Sequence, residues 1–168
     1  MTTQPTLGDL LHKEHLDTLA VINALEGRLS GGRAKTPMTA ADPGDEALLR
    51  RLAERIANDD GRHFVFEEEN LFPVLDLLGF GQITAMLRGE HEVIRGLGQE
   101  LRDLTERGLG SSLDPAAWAS FRELAADLIN IETFHIQKEE MGIISRLPLL
   151  VDTATGAQLA ERYLAQQR

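Results

Sequence analysis

The sequence predicts an all-α protein: an antiparallel, up-down-up-down four-helix bundle with a short extra helix at its C-terminal end. Three observations carry this. Apolar residues recur at helical spacing along almost the whole chain, strand-like alternation is absent, and Pro- and Gly-bearing stretches separate four long periodic segments. The first helix is expected over residues 7–29, with Leu7, Leu11, Ile22, Leu25 and Leu29 on one stripe and Ser30-Gly31-Gly32 as its stop. A linker follows to Gly44. The second is expected over residues 45–72, with Leu49, Leu52 and Ile56 inside. Pro73 should end it, because a prolyl ring has no N–H to donate and crowds the preceding turn. The third, residues 82–107, carries Ile83, Leu87, Ile94, Leu101 and Leu104; Gly89, Gly96 and Gly98 each weaken it by about 1 kcal/mol relative to Ala. The fourth opens at Asp114-Pro115, an N-cap followed by a proline at the first helical position, and should reach residue 146. A fifth, residues 152–166, should pack on the outside. Together these make one domain, with a four-helix core over residues 7–147.

A chain of 168 residues with 42% hydrophobic and 26% charged side chains can bury a full core. The formal charge of −10 argues against binding nucleic acid, which needs a basic face, and against docking on an anionic membrane. No cysteine is present, which excludes disulfides, cysteine-ligated clusters and thiol catalysis. The first residues lack a basic start followed by an apolar run, and no stretch approaches a membrane span, so a cytoplasmic protein is expected.

The placement of histidine carries the chemistry. The second helix contains His63-Phe64-Val65-Phe66-Glu67-Glu68 and the fourth His135-Ile136-Gln137-Lys138-Glu139-Glu140, both H-x-x-x-E-E. Residues four apart share a helix face, so each pair can aim an imidazole and a carboxylate at one point. The first helix adds Glu14-His15 and the third Glu90-His91. One unit therefore occurs twice, Glu-His and then H-x-x-x-E-E, which suggests two similar half-sites around a pseudo-twofold axis. Each of these histidines falls on the apolar stripe of its helix. Burying four imidazoles and two carboxylates without partners is costly, and a pair of cations resolves that cost. Mixed imidazole and carboxylate ligation without sulfur favours iron, with manganese or zinc as alternatives.

These segments resemble the hemerythrin-like, or HHE cation-binding, domain family. The resemblance is carried by Glu14-His15, by H-F-V-F-E-E-E-N-L-F-P from His63 to Pro73, by Glu90-His91 and by H-I-Q-K-E-E from His135 to Glu140. It implies that His15, His63, His91 and His135 are terminal ligands and that Glu67 and Glu139 bridge two iron ions (Fe2+/Fe3+), with an oxo, hydroxo or water ligand completing the centre. The chain differs from oxygen-carrying members in two places. Leu87 or Arg95 stands where a second histidine of the third helix would fall, and the fourth-helix carboxylate, Glu139, comes four rather than five residues after its histidine. The pattern is closer to members associated with nitric oxide, peroxide or iron handling.

Three functions are open at this level. The leading one is binding or sensing of a small diatomic, O2 or NO; the second is an enzyme consuming peroxide or NO; the third is iron storage or a structural metal. His12, one turn from His15, is either a fifth imidazole ligand or an outer or surface residue. Asp60 and Glu132, each three residues before a ligand histidine, either orient histidines of neighbouring helices or form edge ion pairs. Glu14, Glu68, Glu90 and Glu140 rotate about 100° away from the ligands and are expected on exposed faces, so that Glu68→Ala should do little. Phe64 and Phe66, which flank the second-helix ligands, either form an apolar wall that keeps water from the metals or pack as ordinary core; Trp118 and Tyr163 are expected in packing only.

Overall fold

In the computed structural model, which describes residues 4–166, every regular element is helical. Helix α1 (Leu7–Leu29) opens on a capping box: the Asp9 N–H donates to the Thr6 hydroxyl at 3.2 Å, and the Thr6 N–H donates to the Asp9 carboxylate at 2.9 Å. It ends where expected, and Gly31, at φ +68°, leads into a 3-10 turn (Gly31–Lys35).

Helix α2 (Pro43–Asn58) starts under an Asp42 cap that accepts from the Gly44 and Asp45 N–H groups. It does not stop at Pro73. The helix continues through a π turn (Asp59–His63), α3 (Phe64–Phe66), a second π turn (Glu67–Leu71) and α4 (Phe72–Leu77). Each π turn closes a bond to the fifth residue back, Phe64 N–H to Asp59 and Phe72 N–H to Glu67. The second widens the helix directly before Pro73, which relieves the clash that a proline meets in regular winding. The buried positions show why the wide turns are there. Asp59, His63, Glu67, Leu71 and Leu75 are all buried and step by four. In a regular α-helix the first and last of these would point about 160° apart. Two extra residues bring them back to one face.

Helix α5 (Gly81–Gly110) runs through Gly89, Gly96 and Gly98, and Gly98 has a steric reason to be one: a Cβ there would lie 3.1 Å from Ile56 Cγ2. Ile83, expected inside, is 36% exposed. Helix α6 (Pro115–Gly142) has the Asp114 cap expected of it, accepting from the Ala117 N–H at 2.8 Å. It stops at Gly142, and a 3-10 turn (Ile144–Arg146) and the short α7 (Leu147–Leu150) follow instead of continued helix. The last helix, α8 (Thr153–Ala165), is capped by Asp152. It is less peripheral than expected. Leu159, Ala160 and Tyr163 are buried, and the Tyr163 ring meets Phe66 edge-on at 4.9 Å, so α8 packs on α1 and covers apolar surface there.

The long helices form a bundle in which α1 packs on α2 and α6, and α5 packs on α2 and α6. Its core is two apolar clusters. One holds Leu25, Leu49, Leu52, Leu101, Phe121 and Leu128; the other holds Leu11, Phe66, Phe72, Leu75, Leu87 and Ile143. On every long helix the candidate ligands fall between members of these two clusters. Among the described residues, no helix is long and apolar enough to cross a membrane.

At the far end of the first cluster the buried Arg28 donates to both oxygens of buried Asp45, at 2.7 and 3.0 Å, and to the carbonyls of Arg33 and Thr36. This ties the loop between α1 and α2 to both helices. Removing one partner strands a charge in the interior, so Asp45→Ala should lower unfolding stability by about 3 kcal/mol in chemical denaturation.

Candidate metal centre

Four histidines and two glutamates converge in the layer between the clusters, all at most 3% exposed. They form two overlapping groups, His15, His63, Glu67 and Glu139 in one, and Glu67, His91, His135 and Glu139 in the other; within each, the offered ligand atoms lie within 4.8 Å of one another. The two carboxylates belong to both. Glu67 places Oε1 3.4 Å from His63 Nε2 and Oε2 3.4 Å from His91 Nε2. Glu139 places Oε2 3.1 Å from His15 Nε2 and Oε1 3.5 Å from His135 Nε2. One oxygen thus faces each half.

Three of the four rings are oriented from behind. His15 Nδ1 donates to Glu140 at 2.7 Å, His91 Nδ1 to Glu68 at 2.7 Å, and His135 Nδ1 to Glu90 at 3.0 Å. Held at Nδ1 in this way, the three rings turn Nε2 toward the centre. His91 Nε2 and His135 Nε2 come within 3.1 Å of each other. Glu67 Oε2, both Glu139 oxygens and His15 Nε2 are buried and lack a hydrogen-bond partner; His15 Nε2 is near Glu139 but off the angle a hydrogen bond needs. Converging lone pairs and orphaned carboxylate oxygens in a dry interior are what a cation satisfies. These His and Glu groups can hold metal.

The electrostatics agree. Burial pushes the Glu67 carboxyl well above its ordinary range, and the neighbouring Glu139 adds to this. Burial disfavours the Glu139 charge too, but His135, His15 and His91 outweigh it and hold that carboxyl well below its usual value. Burial lowers His63 and His135. For His15 burial is overcome by Glu139 and Glu140, which raise it to about 9.

Several expectations for the surrounding residues change. Glu68, Glu90 and Glu140 are not idle exposed faces, since each carries a histidine of a neighbouring helix. Two are anchored in turn, Glu68 by Arg95 at 2.9 and 3.2 Å and Glu90 by Lys138. A side chain rotated off its own helix's inner stripe sits at the seam, and a glutamate is long enough to cross it. Glu14 is bound instead by Arg55 and Asn58, at 2.8 and 2.9 Å. His12 stands outside both groups, half-exposed, 3.0 Å from Glu140. Asp60 is exposed and pairs with Arg95, the edge ion pair of its two readings. Four-residue stepping through the π turn puts Asp59 inside in its place. Glu132 is buried, as its stripe predicted, yet it makes no hydrogen bond to a ligand histidine, and burial raises its carboxyl well above the usual range. Phe64 stacks on His91 at 4.0 Å, closer to the centre than ordinary packing, while Phe72 covers His91 at 5.7 Å and was not foreseen. Phe66 and Trp118 lie in the apolar clusters.

The Hemerythrin HHE cation binding domain matches residues 6–147 of the chain. The chain belongs to the hemerythrin HHE cation-binding domain family. The match ends at Leu147, so α8 lies beyond it. No curated protein matches the chain. The matched stretch contains all six side chains of the paired His/Glu groups.

A raised folded-state pKa stabilises the fold below the unfolded value and loses that contribution as pH climbs through the folded one. For His15 the window runs from 6.5 to about 9. Metal-free protein should therefore lose melting temperature across that window, and His15→Gln should flatten the loss.

Proposed function

We propose that this is a non-haem di-iron protein that reversibly binds or senses a small diatomic, O2 or NO. The observation that carries it is the sharing of Glu67 and Glu139 between two histidine pairs, one carboxylate oxygen toward each half. In this reading residues 7–147 are one domain whose long helices alternate in direction, with α8 added to its end. His15 and His63 would hold one cation and His91 and His135 the other, with Glu67 and Glu139 shared between them. Mixed nitrogen and oxygen donors without sulfur suit iron, and manganese or zinc would also fit. Bound iron would supply reversible redox chemistry and a coordination position open to a diatomic.

The protein's own part is orientation and exclusion. Glu140, Glu68 and Glu90 fix the rings of His15, His91 and His135 through their Nδ1 protons, which keeps Nε2 free for a cation. Phe64 and Phe72 cover the two sides of His91 with apolar rings and keep bulk water from it. A cation held at His15 would compete with the proton that Glu139 and Glu140 favour there.

Iron quantification should find two irons per chain, falling in His63→Ala and in Glu67→Ala. The absorption spectrum should change stoichiometrically with O2 or NO and return when the gas is removed. Sustained consumption of NO or peroxide would make the protein an enzyme, and a spectrum indifferent to NO and azide would make the metal structural. Loaded protein should melt above metal-free protein, since free metal at a hundred times its Kd stabilises by about 2.7 kcal/mol.

A further inference from the structure

The internal repeat assigns each histidine a carboxylate. Glu90 precedes His91 in sequence and holds His135 across the seam, so Glu14, which precedes His15, should hold His63 in the same way. It does not. Arg55 and Asn58 take Glu14 Oε2 at 2.8 and 2.9 Å, and Arg55 also reaches Asp59 at 2.8 Å. His63 Nδ1 is left buried with no hydrogen-bond partner, on a ring only 3% exposed.

The two halves of the centre are therefore supported unequally. In one, both rings are tied: His91 to Glu68, which Arg95 clamps, and His135 to Glu90, which Lys138 anchors. In the other only His15 is tied, to Glu140, and the partner of Glu140 is the half-exposed His12. A carboxylate behind an imidazole fixes the ring and makes it a stronger donor, and losing one such partner typically weakens a metal site about 10- to 100-fold. From this asymmetry we infer that the His91/His135 half binds its cation first and more tightly, and that the His15/His63 half is the exchangeable one, with Glu90 as a positioning residue that sets the difference. This rests on the reading that the centre takes two cations.

The test is a titration of metal-free, full-length protein with Co2+, followed by visible absorbance and calorimetry. Two binding events per chain are expected, with dissociation constants about 10- to 100-fold apart. Glu90→Ala, or Glu90→Gln should the alanine variant fail to fold, should weaken the tighter event and narrow the gap. Glu14→Gln should leave both events unchanged. His63→Ala should remove the weaker event and keep the tighter one. Two equal events in the unmodified protein, a weaker event that depends on Glu14, or loss of the tighter event in His63→Ala would each overturn the inference while leaving the dinuclear centre standing. Uptake of no more than one Co2+ per chain would overturn the two-cation reading itself, and the inference with it.

Discussion

Two carboxylates buried together among four imidazoles are the constraint around which this protein is organised. Glu67 and Glu139 are 1% exposed, and the imidazoles of all four histidines stand around them. Desolvating such groups costs several kcal/mol each unless opposite charge and hydrogen bonds compensate. The compensation is built in layers. Imidazoles face the carboxylates, outer glutamates face the imidazoles, and Arg95 and Lys138 face two of those glutamates. Charge thus alternates outward from the centre until it reaches solvent. Apolar clusters on both sides of the layer fix the helices so that this alternation stays in register.

Much of the fold was legible because its signals are local. The stop at Ser30, the cap at Asp114 and the apolar stripes all follow from backbone chemistry within a few residues. The six inner side chains were legible for a related reason: an H-x-x-x-E spacing fixes one face of one helix, and its repetition makes chance a poor account. What the sequence did not give up depends on two helices at once. Whether Glu68 points to solvent or to His91 is decided by the distance across a seam, which no single-helix wheel contains. Phe72 was missed likewise, since its place over His91 depends on how the second helix winds beyond Glu67.

The helix running on past Pro73 and Asp59 replacing Asp60 on the inner face have one cause. Residues 45–72 are not regular α-helix throughout, because the winding widens at two turns. A signal was present: Asp59, His63, Glu67, Leu71 and Leu75 keep a strict four-residue step, too long for 3.6 residues per turn. Such a step, sustained across a polar ligand pair and into leucines, marks a helix that must be underwound.

The wide turns also set how this stretch of chain can change length. Each holds one residue more than regular winding needs, so one residue can leave a wide turn by letting it close to ordinary pitch, and the segment beyond keeps its angular phase. Surface loops such as that between α1 and α2 absorb an insertion by bulging outward. The regular winding of α1, α5 and α6 has no such slack, because losing one residue there swings everything downstream by about 100°. Length changes in this bundle should therefore gather in the loops and in the wide turns of the second helix.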